Sequence, residues 1–272
     1  MTRSQLLEVV GSARLFAIRN FLAAALLALA AGCATTSGDV ADPDYASSAE
    51  ENLKKGNEAL ESKNYAEAEK YFEHVRSKYP FLEAAREAEL KAADTHFERE
   101  RFTEARDAYN NFIKLHPTHP KVDYAAFRAA LTHVKDVPSD FFLLPPSFEK
   151  DQGDVKGTVR AMNDFIRQYP QSPYLAEAKA AVEDANRRLA RHELYVAQFY
   201  RKRERWAGAA GRFETVSKNY AGLGYDEEAL FGMHEAYSKL GDAEKAKAAL
   251  RLLIERMPGT SAAAKAQSLL GG

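Results

Sequence analysis

The chain has 272 residues, 46% of them apolar, enough to bury a core in one or two domains. Its 38 Lys and Arg stand against 39 Asp and Glu, so it lacks the cationic surplus of a general nucleic-acid binder. A single Cys excludes an intramolecular disulfide framework and a cysteine-rich zinc site, and a mean hydropathy of −0.46 excludes a polytopic membrane protein.

At the N-terminus, Arg3, Arg14 and Arg19 precede an apolar run from Phe21 to Ala31, followed by Gly32-Cys33. This basic, apolar, small-residue order is that of a secretory signal, and the run is roughly half as long as a spanning helix needs. Leu29-Ala30-Ala31-Gly32-Cys33 resembles a bacterial lipobox, with Ala30 where Leu is commoner. That resemblance implies cleavage before Cys33 and lipidation of its thiol and amine. Acyl chains contribute about 0.8 kcal/mol per buried CH₂, so several together anchor a protein stably. Ala34 stands where Asp would favour retention in the inner membrane, which points to the outer membrane. A signal peptide over 1–32 and a flexible tether over 33–46 are therefore expected.

From residue 47 onward the sequence repeats. Asn64 to Pro80 and Arg101 to Pro117 share one frame: an opening aromatic, Ala three residues later, an aromatic four after that, and a closing Pro. The frame recurs at Val155, Met162, Phe165 and Pro170, at Trp206, Ala209, Phe213 and Tyr220, and at Ala243, Ala246, Leu250 and Pro258. The closing positions, Pro80, Pro117, Pro170, Ala221 and Pro258, are spaced 37, 53, 51 and 37 apart. A unit in the mid-thirties, with two enlarged copies, is the signature of tetratricopeptide helix-turn-helix repeats. Ala68, Ala105, Ala209 and Ala246 fill the small position where paired helices touch, and Gly56 fills the other small position in the first unit. Each Pro stops the second helix of its unit. Helices are predicted near 47–62, 65–79, 83–99, 102–115, 121–136, 154–169, 173–203, 206–219, 225–239, 242–256 and 261–270. The fold class is an all-α solenoid of about five repeats plus a C-terminal capping helix. N-terminal repeats 1–3 occupy 47–170, with an insertion over 137–153, and repeats 4–5 with the cap occupy 171–272.

The two enlarged units differ in kind. The third is interrupted by Val137 to Phe148, where prolines forbid helix beside the apolar Phe141, Phe142, Leu143 and Leu144. That segment either folds back onto the solenoid or forms a partner loop. The fourth has a first helix of about thirty residues, long enough to project beyond its neighbours.

This order of features, behind a lipobox, resembles the BamD (YfiO/ComL) family of lipoproteins of the outer-membrane β-barrel assembly machinery. The local matches are Asp123-Tyr124, Lys150-Asp151-Gln152, the run from Tyr169 to Tyr174, and the run from Leu189 to Tyr200. Arg212 falls where the family carries an Arg in the second helix of its fourth unit. The resemblance covers about residues 47–258. Lys150 for the usual Arg, the apolar insertion, and Tyr220-Ala221 without the expected Pro depart from it.

The resemblance implies a non-enzymatic scaffold, lipid-anchored at the periplasmic face of the outer membrane and without a cofactor. It would bind the POTRA domains of the barrel insertase through its C-terminal repeats, other lipoproteins of the machinery, and unfolded outer-membrane β-barrel proteins. Arg212 is the candidate insertase contact, since a guanidinium pairs bidentately with a carboxylate; a plain solvated helix charge is the alternative. The inner face of the first helices is the candidate substrate groove, with Asn57, Leu60, Asp94 and Phe97 projecting there by repeat position. An extended strand with aromatics and free amides suits a mixed polar and aromatic groove. Repeat-core packing competes for Leu60 and Phe97.

Enzymatic motifs are missing. His192-Glu193 has Val196 where a zincin needs its second His, and His116 with His119 are too few for a metal site. No P-loop and no Gly-x-Ser-x-Gly elbow occurs. The alternative function is a lipid-anchored tetratricopeptide adaptor for another envelope complex, serving secretion, pili or cell division.

Overall fold

The computed structural model describes residues 42–136 and 151–271. The expected lipidation site Cys33 and the apolar residues Phe141, Phe142, Leu143 and Leu144 lie outside the described residues. Pro43–Gly272 is one compact unit. Its helices fall in pairs: α1 (Ala49–Glu61) with α2 (Tyr65–Lys78), α3 (Glu83–Glu98) with α4 (Phe102–Leu115), and α5 (Val122–Asp136) with α6 (Gly153–Gln168). Next come α7 (Leu175–Lys202) with α8 (Trp206–Asn219) and α9 (Asp226–Lys239) with α10 (Ala243–Arg256), closed by α11 (Ser261–Gly271). These bounds lie within about two residues of those expected from the repeat frame, and no strand occurs among the described residues. Each helix packs on the next in sequence, and α1 also reaches α3, the contact order of a tetratricopeptide solenoid.

The repeat is visible in the backbone hydrogen bonds. Within four pairs the first helix ends on a left-handed residue: Lys63 (φ 60°), Glu100 (φ 58°), Glu204 (φ 55°) and Gly241 (φ 78°). Their amides donate to the carbonyls of Leu60, Phe97, Arg201 and Ser238, and the next residue's amide reaches back to Ala59, His96, Tyr200 and Tyr237. These bonds satisfy carbonyls that a helix end leaves open. Three of the four turns hold a non-glycine residue in a region that costs about 1 kcal/mol or more.

The small positions explain how closely the helices approach. Ala68, Ala105 and Ala209 are fully buried and Ala246 nearly so. A Cβ on Gly56 would stand 2.6 Å from the Phe72 ring, and one on Gly232 would stand 2.5 Å from the Phe213 ring. Glycine at these two places is therefore a packing requirement.

The turns between repeats are closed by Pro80, Pro117, Pro170 and Pro258. Tyr220-Ala221, which lacks Pro, is closed differently. Gly222 takes φ 77° and its amide donates to Asp226 Oδ2 at 2.7 Å. Arg256 then ties Asp226 Oδ1 (2.9 Å) to the Ser217 carbonyl (2.9 Å).

The core is divided unevenly. One continuous cluster runs through the end of α7 and all of α8 to α11, including Leu194, Phe213, Leu230, Leu250, Leu253 and Ala266. The N-terminal repeats have separate, smaller clusters around Phe72, Tyr109 and Phe165. At 28 residues α7 is about 42 Å long. It buries Ala178 against Phe127, Met162 and Phe165 near its start and Leu194 and Ala197 in the C-terminal cluster near its end. It is thus packed along its length and shared between the two halves.

Candidate functional site

Two surfaces carry chemistry. The first is a groove of about 310 Å³ where α1, α3 and α5 come together, lined by Leu60, Glu61, Lys63, Tyr65, Lys91, Asp94, Glu98, Tyr124 and Arg128. Its floor is organised by Asp94, only 5% exposed. Oδ1 accepts from the Tyr109 hydroxyl at 2.6 Å and from the Tyr124 hydroxyl at 2.8 Å, while Oδ2 accepts from Lys91 Nζ at 3.1 Å. A buried carboxylate needs such saturation, because an unpaired one costs several kcal/mol. Burial, and then the Asp94 charge, push both tyrosine hydroxyls well above their ordinary range, so they remain donors.

Arg128 completes the wall. Its Nε donates to Tyr109 Oη (3.1 Å), its Nη2 to Glu98 (3.0 Å), and its guanidinium lies 3.8 Å from the centre of the Phe97 ring. Lys91 makes one bond to Asp94 and has two further N–H donors. The groove therefore presents two oriented cations with an apolar rim at Leu60 and Tyr65.

Of the four residues expected in this groove, Leu60 and Asp94 line it. Phe97 does not: it is buried in the α3–α5 core and serves as the surface on which Arg128 rests. Asn57 is half-buried outside the lining, and its Oδ1 is buried without a hydrogen-bond partner. Lys91, Tyr124 and Arg128 were not singled out as groove residues, although repeat spacing offers a signal for Lys91 and Arg128. Lys91 is one helical turn before Asp94, and Arg128 follows Lys91 by 37 residues, the spacing from Pro80 to Pro117.

Two of the local motifs singled out in sequence, Asp123-Tyr124 and the run from Tyr169 to Tyr174, meet in space. Ser172 Oγ donates to Asp123 Oδ2 at 2.8 Å, Tyr174 stacks on Phe127 at 4.9 Å, and the Tyr124 and Tyr174 rings lie 5.8 Å apart. The run from Tyr169 to Tyr174 thereby clamps the start of α5, which carries Tyr124 and Arg128 into the groove.

The second surface is on the C-terminal repeats. Arg212 on α8 is half-exposed and donates from Nη1 to Glu193 Oε2 at 2.8 Å, while Glu193 itself is largely buried. That bond holds the Arg212 pKa above its ordinary value. The remaining edge of the guanidinium is available to an incoming carboxylate. Beside it, at the end of α7, Tyr200, Trp206, Gly208 and Leu240 line an apolar depression of about 560 Å³, and Phe199 is exposed with Arg203 3.6 Å over its ring.

The histidines weighed for metal binding are paired instead. His116 contacts Glu89 at 2.7 Å and His119 contacts Glu83 at 2.6 Å, and among the described residues no three His, Cys, Asp or Glu side chains converge on one point.

A curated relative, outer membrane protein assembly factor BamD of Neisseria meningitidis, is 28% identical over 247 residues, covering 89% of this chain and 92% of the relative. BamD of Haemophilus influenzae is 29% identical over 230 residues, covering 82% and 86%. BamD of Caulobacter vibrioides is 28% identical over 204 residues; the match takes in 75% of this chain but 64% of that longer relative. Among solved structures, the TPR2AB domain of yeast Sti1 is similar at 15% identity, covering 82% of this chain and 84% of that one, with a TM-score of 0.43. The family model YfiO, described as an outer membrane lipoprotein, matches residues 45–252, and the chain belongs to that family.

Proposed function

We propose that the chain is an outer membrane protein assembly factor: a lipid-anchored scaffold on the periplasmic face of the outer membrane that performs no catalysis. The observation that carries this reading is a family match over residues 45–252, from before α1 into α10, shared with relatives named for that role. In this reading Cys33 bears the lipid. The C-terminal repeats dock a POTRA-domain barrel insertase with Arg212 at the contact, and the N-terminal groove receives unfolded β-barrel chains. The groove's chemistry supports the last assignment. Lys91 and Arg128 attract a peptide carboxylate, and Leu60 and Tyr65 offer apolar surface to neighbouring side chains. Other lipoproteins of the machinery would complete the assembly, and the loop with Phe141, Phe142, Leu143 and Leu144 would be a further partner contact.

The test is affinity purification of the tagged chain from solubilised outer membrane, with mass spectrometry of what co-purifies. Stoichiometric recovery of a POTRA-bearing insertase is expected. Recovery of a secretion, pilus or division complex without an insertase would move the function to an envelope adaptor.

A further inference from the structure

Seven large apolar side chains are exposed among the described residues, and three of them sit together on one edge. Phe81 is 91% exposed and Leu82 44%, both in the turn from α2 to α3; Leu115, 56% exposed, ends α4. The two turns are neighbours, because His119, in the α4–α5 turn, bonds Glu83, the residue after Leu82. A shallow groove lined by Glu83, Arg86, Leu115 and His119 runs between them.

This edge is also where the chain from the N-terminus reaches the fold. Tyr79 Oη donates to the Ser47 carbonyl at 2.9 Å, which sets Pro80-Phe81-Leu82 beside the start of α1. The residues just before are pinned as well. Asn52 exchanges hydrogen bonds with the Ala46 backbone at 2.8 and 2.9 Å, Lys55 donates to the Asp44 carbonyl, and Tyr45 stacks on His74 at 3.8 Å. Ten residues separate Cys33 from Asp44, and the stretch from one to the other spans at most about 40 Å. A chain leading from a lipid on Cys33 thus enters the fold at this edge and keeps it within about 40 Å of the bilayer.

We propose that Phe81, Leu82 and Leu115 form a second membrane contact, inserting at the headgroup boundary and fixing how the lipid-anchored solenoid stands on the bilayer. This rests on the reading that Cys33 is lipidated. A solvent-exposed phenylalanine is costly in water and favourable at the lipid interface. The charges nearby agree. Arg86 and Lys121 are spoken for by Glu83 and Glu87, whereas Lys78 and Lys114 are exposed and make no ion pair among the described residues, leaving two cations for anionic headgroups. An anchor alone lets a protein swing; a second contact sets its orientation and so the height of the groove above the membrane.

The test uses the full chain purified from membranes. Cys33 is its only cysteine, so a lipidated chain with Phe81→Cys has one free thiol for a solvatochromic label. The protein is reconstituted in vesicles of phosphatidylethanolamine and phosphatidylglycerol carrying nitroxide lipids. A blue-shifted emission quenched by the nitroxides is expected at position 81, and with Leu115→Cys at 115. None is expected with Lys63→Cys at the far end of α1. Adding Phe81→Asp and Leu82→Asp to Leu115→Cys should abolish the quenching at 115; all these sites are exposed, so the fold is spared. If the chain carries lipid by intact mass and floats with the vesicles while position 81 stays in water, the proposal is overturned and the anchor stands. A chain without lipid mass, labelled at Cys33 and unbound to vesicles, overturns the anchor and this proposal together. A shift that appears only with rising protein concentration or added insertase domains, without nitroxide quenching, assigns the patch to a protein and also overturns it.

Discussion

The two halves of the solenoid spend their interior differently. From the end of α7 to α11 the core is one apolar cluster, with Phe213 pressed against Gly232 and Leu250 and Leu253 wholly buried. In the first three repeats the apolar clusters are separate, and a charged hub at Asp94 occupies the face between α1, α3 and α5. Buried apolar packing gives stiffness and gains free energy with every methylene; a buried carboxylate returns less and demands partners. The C-terminal half is therefore the stiffer of the two, which in the proposed reading suits a docking mount. The N-terminal half has less apolar cohesion and holds cations in a fixed direction, which in the proposed reading suits a surface that takes up and releases a peptide.

The largest test of that contrast is Asp94→Ala. It leaves Lys91 without its counter-charge, Arg128 with Glu98 alone, and two tyrosine hydroxyls without an acceptor. The expected loss is about 3 kcal/mol, near the low end for a broken buried pair because both cations keep some solvent. Hydrogen exchange should show the loss in α3 to α5 and spare α9 and α10. Uniform loosening would mean the halves fold as one unit and the contrast is only chemical. Peptides ending in a free carboxylate should lose binding in the same variant, read by fluorescence anisotropy.

The next effect tests the C-terminal packing. Gly232→Ala places a Cβ about 2.5 Å from three atoms of the Phe213 ring, which has no room to move. Overpacking of this kind costs about 1–3 kcal/mol. Gly211→Ala on α8 meets nothing within 4 Å and should gain close to 1 kcal/mol from helix propensity alone. Denaturant melts of the two variants should thus move in opposite directions.

How much of this was legible in sequence follows from range. The helices, their pairing and the small contact positions were readable because each rests on residues within one repeat: Phe72 against Gly56, or a Pro after its helix. The hub was readable only in part. Repeat position puts Asp94 and Leu60 on this face, and both line the groove. Tyr124 and Arg128 act on Asp94 from the next repeat, at a separation of 30 residues or more, and no local pattern announces that their side chains turn inward. Phe97 shows the converse limit. An aromatic at a groove position can face the core and act through the cation stacked on it. Arg212 was placed by resemblance, but its partner Glu193 lies on another helix, 19 residues away.

That partner shapes a smaller prediction. Arg212→Ala should weaken binding of isolated POTRA domains about tenfold, roughly 1.4 kcal/mol, by calorimetry. It should change folding stability by less than about 1 kcal/mol, since the pair with Glu193 is partly solvated. Glu193→Gln frees the guanidinium without removing it and should leave binding intact. Equal losses in both variants would show that the pair only shapes α7 and α8.

The smallest effect is a pH dependence confined to one half. His133 on α5 has its pKa lowered, first by burial and then by Arg106, whose Nη1 lies 2.9 Å from Nδ1; Asp136 and Asp154 oppose the shift and Arg160 adds to it. His74 on α2 is lowered by burial and Lys78. An unfolded chain takes up protons near the ordinary value of 6.5, while these native imidazoles resist until lower pH. Stability is therefore full above 6.5 and declines as the pH falls below it, levelling off beneath the depressed native values. Both groups belong to the N-terminal repeats, so mild acid should raise hydrogen exchange in α2, α5 and α6 while α8 to α10 hold. His133→Gln keeps an acceptor for Arg106 but cannot take a proton, and it should flatten the response of α5 and α6 between pH 7.5 and 5.5. If that variant loosens as the wild type does, the acid sensitivity comes from elsewhere. The unequal design of the two halves would then rest on Asp94 and Gly232 alone.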